Sequence, residues 1–156
     1  MINLSHDFNI FAVKYIQFMG FVYADIELIN GEDIMKARNN MIGEEEIRRF
    51  PLNILVDSGA HQLVLNENIQ EQLKLPVVGR KKAQMADGRI IECDVVAPVE
   101  LRFKNRATTC RAIVLPGAEP LLGVIPMEDM DVLIDPLRNE LIVNPEHPYY
   151  AQAKIK

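Results

Sequence analysis

An all-β fold, mainly antiparallel and with one or two short helices, is predicted by three observations. Ile91, Cys93, Val95, Ala97, Val99, Leu101 and Phe103 occupy every second position, the period of one long strand with a dry face. Other strand-like runs follow at short spacing with no strand-helix-strand alternation, which argues for an antiparallel barrel or sandwich. The length of 156 residues, 49% of them hydrophobic, suits one globular domain with a real core. The chain divides into an N-terminal extension of open structure (1–19), the domain itself (20–145) and a C-terminal tail (146–156).

Composition excludes several functions. A net charge of −5 argues against a nucleic-acid surface, and Arg80-Lys81-Lys82 is too short a cluster to reverse that, reading instead as a solvated loop. Cys93 and Cys110 have neither CxxC spacing nor matching histidine pairs. They read as core thiols, and no metal site is expected. Residues 8–24 are apolar, but Asn9, Lys14 and Gln17 interrupt them and no basic region precedes them. They read as neither a membrane span nor a signal peptide, so a cytoplasmic chain without a membrane partner is expected.

In order, Val22, Ala24, Ile26 and Leu28 alternate with Tyr23, Asp25 and Glu27, giving a first strand at 22–29 that ends in an Asn30-Gly31 turn signal. Asp33 could cap a helix through Ile34, Ala37 and Arg38, stopped by Gly43. The run Glu44-Glu45-Glu46 with Arg48-Arg49 reads as a solvated face, or as a peptide-binding rim. A strand at 50–56 follows, its start restricted by Pro51. Asn66 is a candidate N-cap for a helix whose Leu65, Ile69 and Leu73 form one buried stripe. Ala86-Asp87-Gly88-Arg89 is a hairpin turn. Pro98 marks a bend or an edge in the long strand, and residues 108–115 return antiparallel to it. Residues 116–120 form a loop before Leu121-Leu122-Gly123. Pro126 suits the first turn of a short helix ending at Met130, and residues 132–134 and 137–143 form a last pair of strands. The tail with His147 reads as a termination segment of little content.

The chemistry concentrates in Ile54-Leu55-Val56-Asp57-Ser58-Gly59-Ala60, where an apolar run delivers a carboxylate to a sharp turn. Such a carboxylate is costly unless hydrogen bonds or chemistry justify it. Ser58 can bond locally, and Gly59 permits close backbone approach or a positive φ. An ordinary strand-ending turn remains a competing reading, since Asp, Ser and Gly are common there. His61 follows without the pattern of a nucleophilic serine, and reads as a surface or subsite residue.

The stretch resembles the hydrophobic-hydrophobic-Asp-[Ser/Thr]-Gly-Ala motif of aspartic proteases. The order of elements after it resembles the retroviral-type, single-domain members: short helix, hairpin, two long strands, a hydrophobic-hydrophobic-Gly turn, short helix and closing strand. The resemblance spans roughly residues 22–143, with 33–49 longer than the retroviral counterpart. It implies a retropepsin-like barrel and an endopeptidase acting on peptide or protein substrates. The catalytic residues would be Asp57, Ser58 and Gly59. The substrate-binding set would be Ala60, the hairpin residues Met85, Ala86, Asp87 and Gly88, and Leu121, Leu122 and Gly123. No cofactor is implied, because the carboxylates themselves activate the water. The hairpin would be a flap closing on bound peptide, although the retroviral tip carries several glycines and this one only Gly88.

Hydrolysis by this route needs two carboxylates sharing a proton. Asp87, Asp94, Asp129, Asp131 and Asp135 lack the Asp-[Ser/Thr]-Gly context, so the chain holds one half-site and the implied active form is a homodimer joined at Asp57. Ser58 would then bond across the axis. Two rival readings stand beside this: a catalytically silent dimeric module that binds peptide or scaffolds a partner, and a β domain whose resemblance is accidental.

Overall fold

The computed structural model describes residues 21–155, and the expected extension at 1–19 lies outside the described residues. Val22, Ala24, Ile26 and Leu28 turn inward, forming the first strand, β1 (Val22–Asn30). It pairs antiparallel with β2 (Arg49–Val56), from Val22 opposite Val56 to Ile29 opposite Arg49.

Between them lies α1 (Gly31–Arg38), and here the structure corrects the sequence reading. Asn30-Gly31 is a helix start rather than a turn, and Asn30 rather than Asp33 is the cap. The Asn30 Oδ1 accepts the Asp33 N–H at 3.0 Å, while its Nδ2 donates to the Leu73 carbonyl at 2.8 Å. Both halves of a buried amide are thereby satisfied. Asp33 is itself buried and accepts the Arg48 N–H at 3.0 Å. The helix ends at Arg38, before Gly43, and the acidic run 44–46 forms an exposed 3-10 turn, a solvated face as expected.

After β3 (Leu63–Leu65) comes α2 (Glu67–Leu73), capped as anticipated by Asn66, whose Oδ1 accepts the Ile69 N–H at 3.0 Å. Leu65, Ile69 and Leu73 are buried along one stripe. Lys74 closes the helix in the left-handed conformation (φ 51°). β4 (Val77–Gln84) runs antiparallel to β5 (Ile90–Phe103), so Arg80-Lys81-Lys82 lies in a strand and not in a loop. The register of β5 shifts between Val96 and Val99, around Pro98, as the predicted bend requires. Its second half then reaches β1, with Leu28 opposite Leu101, while β6 (Arg106–Val114) runs back along it.

β7 (Leu121–Leu122), α3 (Val124–Met130) and the two-stranded sheet of β8 (Val132–Asp135) and β9 (Glu140–Val143) complete the chain. The large sheet has the order β1-β2-β7-β3-β6-β5-β4, and the pairing of β1 with β5 closes the first six of these into a ring from which β4 projects. The protein is therefore mostly β, as expected, but with three short helices instead of one or two. Its sheet is mixed, with parallel pairs β2–β7 and β3–β6. Inside lie Leu28, Ile54, Leu63, Leu65, Leu101, Leu122 and Met130, each almost wholly shielded from water. Each such side chain contributes about 1.5–3 kcal/mol by its burial. Both cysteines are free thiols. Cys93 is buried, and burial pushes the half-buried Cys110 thiol up to about 12.

The tail is better anchored than its sequence indicated. Asp131 accepts the Asn144 side-chain amide (3.0 Å), the Gln152 N–H (3.0 Å) and a 2.6 Å bond with His147 Nδ1, and the Asn105 amide donates to the Pro148 carbonyl. The Asn144 amide, followed by the Gln152 N–H, holds the Asp131 carboxyl down to about 2, below its ordinary 3.8. A folded-state value below the unfolded one stabilises above about pH 4 and is lost as pH falls toward 2. Thermal melting of the wild type should therefore exceed that of Asp131→Ala at neutral pH, and the gap should narrow across that window. A gap unchanged at low pH contradicts this role for the carboxylate.

Candidate active site

Asp57 emerges at the end of β2, and what fixes it is β7. Leu55 and Val56 pair in parallel with Leu121 and Leu122, and the Asp57 N–H continues the ladder by donating to the Leu122 carbonyl at 3.0 Å. β7 also pairs antiparallel with β3 at Val64 opposite Leu121, so this two-residue strand is inserted between the two that flank the Asp57 loop. Beyond it, the N–H groups of Val124 and Ile125 donate to the carbonyls of Ala60 and His61, both at 2.8 Å. The loop is thus tied by its backbone on both sides.

Gly123 makes this passage possible. A Cβ there would stand 2.4 Å from the Gln62 carbonyl oxygen and 2.7 Å from the Gln62 nitrogen, both backbone atoms with no room to move. Gly59 serves a second close approach: its N–H donates to Asp57 Oδ1 at 2.8 Å, and a Cβ would come within 3.1 Å of the same oxygen. Neither role anticipated for Gly59 is the one observed: its φ is not positive, and what comes close to it is the Asp57 side-chain oxygen and not another stretch of backbone. The Ala60 N–H donates to the Asp57 carbonyl at 3.1 Å and tightens the turn. Asp57 is half-buried, with one carboxylate oxygen held by this N–H.

The carboxylate borders a groove of about 630 Å³. Its floor is the loop (Asp57, Gly59, Ala60, His61, Gln62) with Val64 and Leu121; Ile113 and Leu115 form one wall, and the β4–β5 hairpin lines the rest with Lys81, Ala83, Gln84, Met85 and Ala86. At the hairpin tip the Met85 N–H donates to the Arg89 carbonyl (2.7 Å) and Gly88 adopts φ 88°. Asp87 accepts both the Arg89 N–H (3.0 Å) and its guanidinium (2.7 Å), and these bonds hold its carboxyl below the usual range.

Of the residues singled out from the sequence, Asp57, Gly59, Ala60, Met85, Ala86 and Leu121 meet in this groove, together with His61, read from the sequence as a surface or subsite residue. Asp87 and Gly88 sit at the exposed hairpin tip outside its lining, Ser58 is exposed on the loop, and Leu122 and Gly123 are buried beneath it. Gln62, Val64, Lys81, Ala83, Gln84, Ile113 and Leu115 line it without having been singled out. The period-two alternation of β4, which puts Lys81 and Ala83 in step with Met85 beyond its end, is the signal that could have revealed two of these neighbours. Among the described residues, no three His, Cys, Asp or Glu side chains converge as metal ligands, and no helix is long and apolar enough to cross a membrane.

Asp57 therefore sits on a loop pinned from both sides, at the edge of a groove that the β4–β5 hairpin also lines. In a comparison with protein families, the aspartyl protease family matches residues 42–132, more than half of the chain, from before the Asp57 strand through Leu121-Leu122-Gly123. The chain belongs to this family, which is of the retropepsin-like clan. Among curated individual proteins, none matches it.

Proposed function

We propose that the protein is an aspartic endopeptidase that works as a homodimer, with Asp57 of each subunit forming one catalytic pair across a two-fold axis. The observation that carries this is the single carboxylate, Asp57, on a loop pinned by β7 at the floor of the groove. The closed ring of strands supports a retropepsin-like barrel at 20–145 as the unit that dimerises. Two like charges a few ångströms apart cannot both ionise cheaply, so the pair holds one proton between them at working pH. The ionised carboxylate takes a proton from water, whose oxygen attacks the peptide carbonyl carbon. The protonated one gives its proton to the carbonyl oxygen. Collapse of the tetrahedral intermediate breaks the C–N bond as the departing nitrogen receives a proton, and the pair is regenerated. No cofactor takes part. Ser58, exposed on the same loop, would bond across the axis and hold the two loops in register.

The β4–β5 hairpin would act as the flap, presenting backbone groups to an extended peptide while Val64, Ile113, Leu115 and Leu121 accept apolar side chains. The tip is tied by the bonds of Met85, Asp87 and Arg89 and has one glycine, which favours as a second reading a peptide-binding module without turnover. The experiment that tests the enzymatic reading is peptide hydrolysis from acidic to neutral pH as the protein is diluted. Specific activity should collapse below the dimer dissociation constant, because monomers hold half a site. Turnover per chain that stays constant through dissociation would contradict it, and absence of turnover with retained peptide binding would favour the silent module.

A further inference from the structure

The hairpin over the groove is sorted by charge. On one face of β4, Arg80 lies opposite Asp94 and Lys82 opposite Glu92, and the Arg80 guanidinium is held by Asp94 at 2.8 Å and Glu92 at 3.6 Å. The other face carries Lys81 and Ala83, both lining the groove together with Met85 just past the end of the strand, and the cross-strand neighbours of Lys81 and Ala83 are Cys93 and Ile91, with no carboxylate. Among the described residues the Lys81 ammonium makes no ion pair or side-chain hydrogen bond, unlike the Arg80 guanidinium beside it. The groove thus has one ammonium group on its hairpin side, and its other titratable lining residues are Asp57 and His61.

We infer that Lys81 is a specificity-determining residue that selects peptides carrying an acidic side chain near the bond to be cut, in the subsite beneath the hairpin. This rests on the proteolytic reading above and adds the substrate class to it. An extended peptide in the groove alternates its side chains, and one directed at β4 meets Lys81 beside Ala83 and Met85. A glutamate satisfies both the apolar surround, through its methylenes, and the ammonium, through its carboxylate. A lysine there would place two like charges together in a groove that excludes part of the water.

The test uses the full-length protein and fluorescein-labelled decapeptides with an apolar centre, differing only in Glu, Gln or Lys at each position flanking that centre. Binding is measured on the Asp57→Asn protein and cleavage on the wild type. At one flanking position, Glu should be preferred over Gln by about fivefold, as expected for an ion pair of about 1 kcal/mol. The preference should vanish in Lys81→Ala and turn toward Lys in Lys81→Glu. Equal binding of Glu, Gln and Lys peptides at every position overturns the inference, whether or not any peptide is cut. Equal losses for all peptides in Lys81→Ala, with a displaced pH profile of kcat, overturn it too, because Lys81 would then act on the carboxylates. Charge-selective binding without cleavage sustains the inference and sinks the enzymatic reading alone.

Discussion

Asp57→Asn should lower the turnover of any cleaved peptide by at least about 10³-fold, the scale of a lost general acid–base pair. The fold should survive, because the asparagine Oδ1 still accepts the Gly59 N–H that Asp57 Oδ1 accepts at 2.8 Å. Asp57→Ala removes that acceptor, and should cost about 1 kcal/mol besides the activity. Melting curves of the two variants, read beside kcat, separate the chemical role of the carboxylate from its structural one. Turnover within a few-fold of wild type in a folded Asp57→Asn protein would show that the reaction runs through another group.

The second large effect is expected from Gly123→Ala. The new methyl would meet the backbone of residues 61 and 62 at 2.4–2.7 Å, and neither side can yield by rotating a side chain. Relief requires β7 to move from under the loop, which breaks the Asp57 to Leu122, Val124 to Ala60 and Ile125 to His61 bonds together. A cost of about 3 kcal/mol or more follows, which lowers the melting temperature by roughly 10 °C in a domain of this size. Any protein that remains folded should lose turnover as well, since the loop that aims Asp57 is no longer held. A Gly123→Ala protein with near-normal melting and activity would mean that the close passage of the two segments is not what organises the site. Gly88→Ala, at an exposed tip with open space around it, offers the contrast: the strain there is confined to a positive φ.

How much of this was legible in the sequence depended on how local the cause was. Asp57-Ser58-Gly59-Ala60 and Leu121-Leu122-Gly123 could be read because the loop needs particular residue types at fixed positions. The period-two run of β5 could be read because one buried face dictates it. Asn30 could not, because its preference for a helix cap over a turn is settled by the Leu73 carbonyl, 43 positions away, to which its amide donates. The parallel pairs β2–β7 and β3–β6 escaped for a related reason: β7 is two residues long and β3 three, too short for either to show a periodicity of its own. Lys81 was hidden inside a basic triplet that looks uniformly solvated until the strand alternation puts Arg80 and Lys82 on one face and Lys81 on the other. The tail looked empty because its anchor, Asp131, binds it through scattered contacts at 144, 147 and 152.

The most direct test is subunit mixing. Wild-type and Asp57→Asn chains are combined in varying proportion at fixed total concentration, allowed to exchange, and assayed on one peptide. If each active site takes one carboxylate from each chain, mixed dimers are inert, activity follows the square of the wild-type fraction, and an equal mixture keeps about a quarter of the full rate. A straight-line dependence, with about half the rate remaining in the equal mixture, would show that each chain works by itself and that Asp57 needs no counterpart.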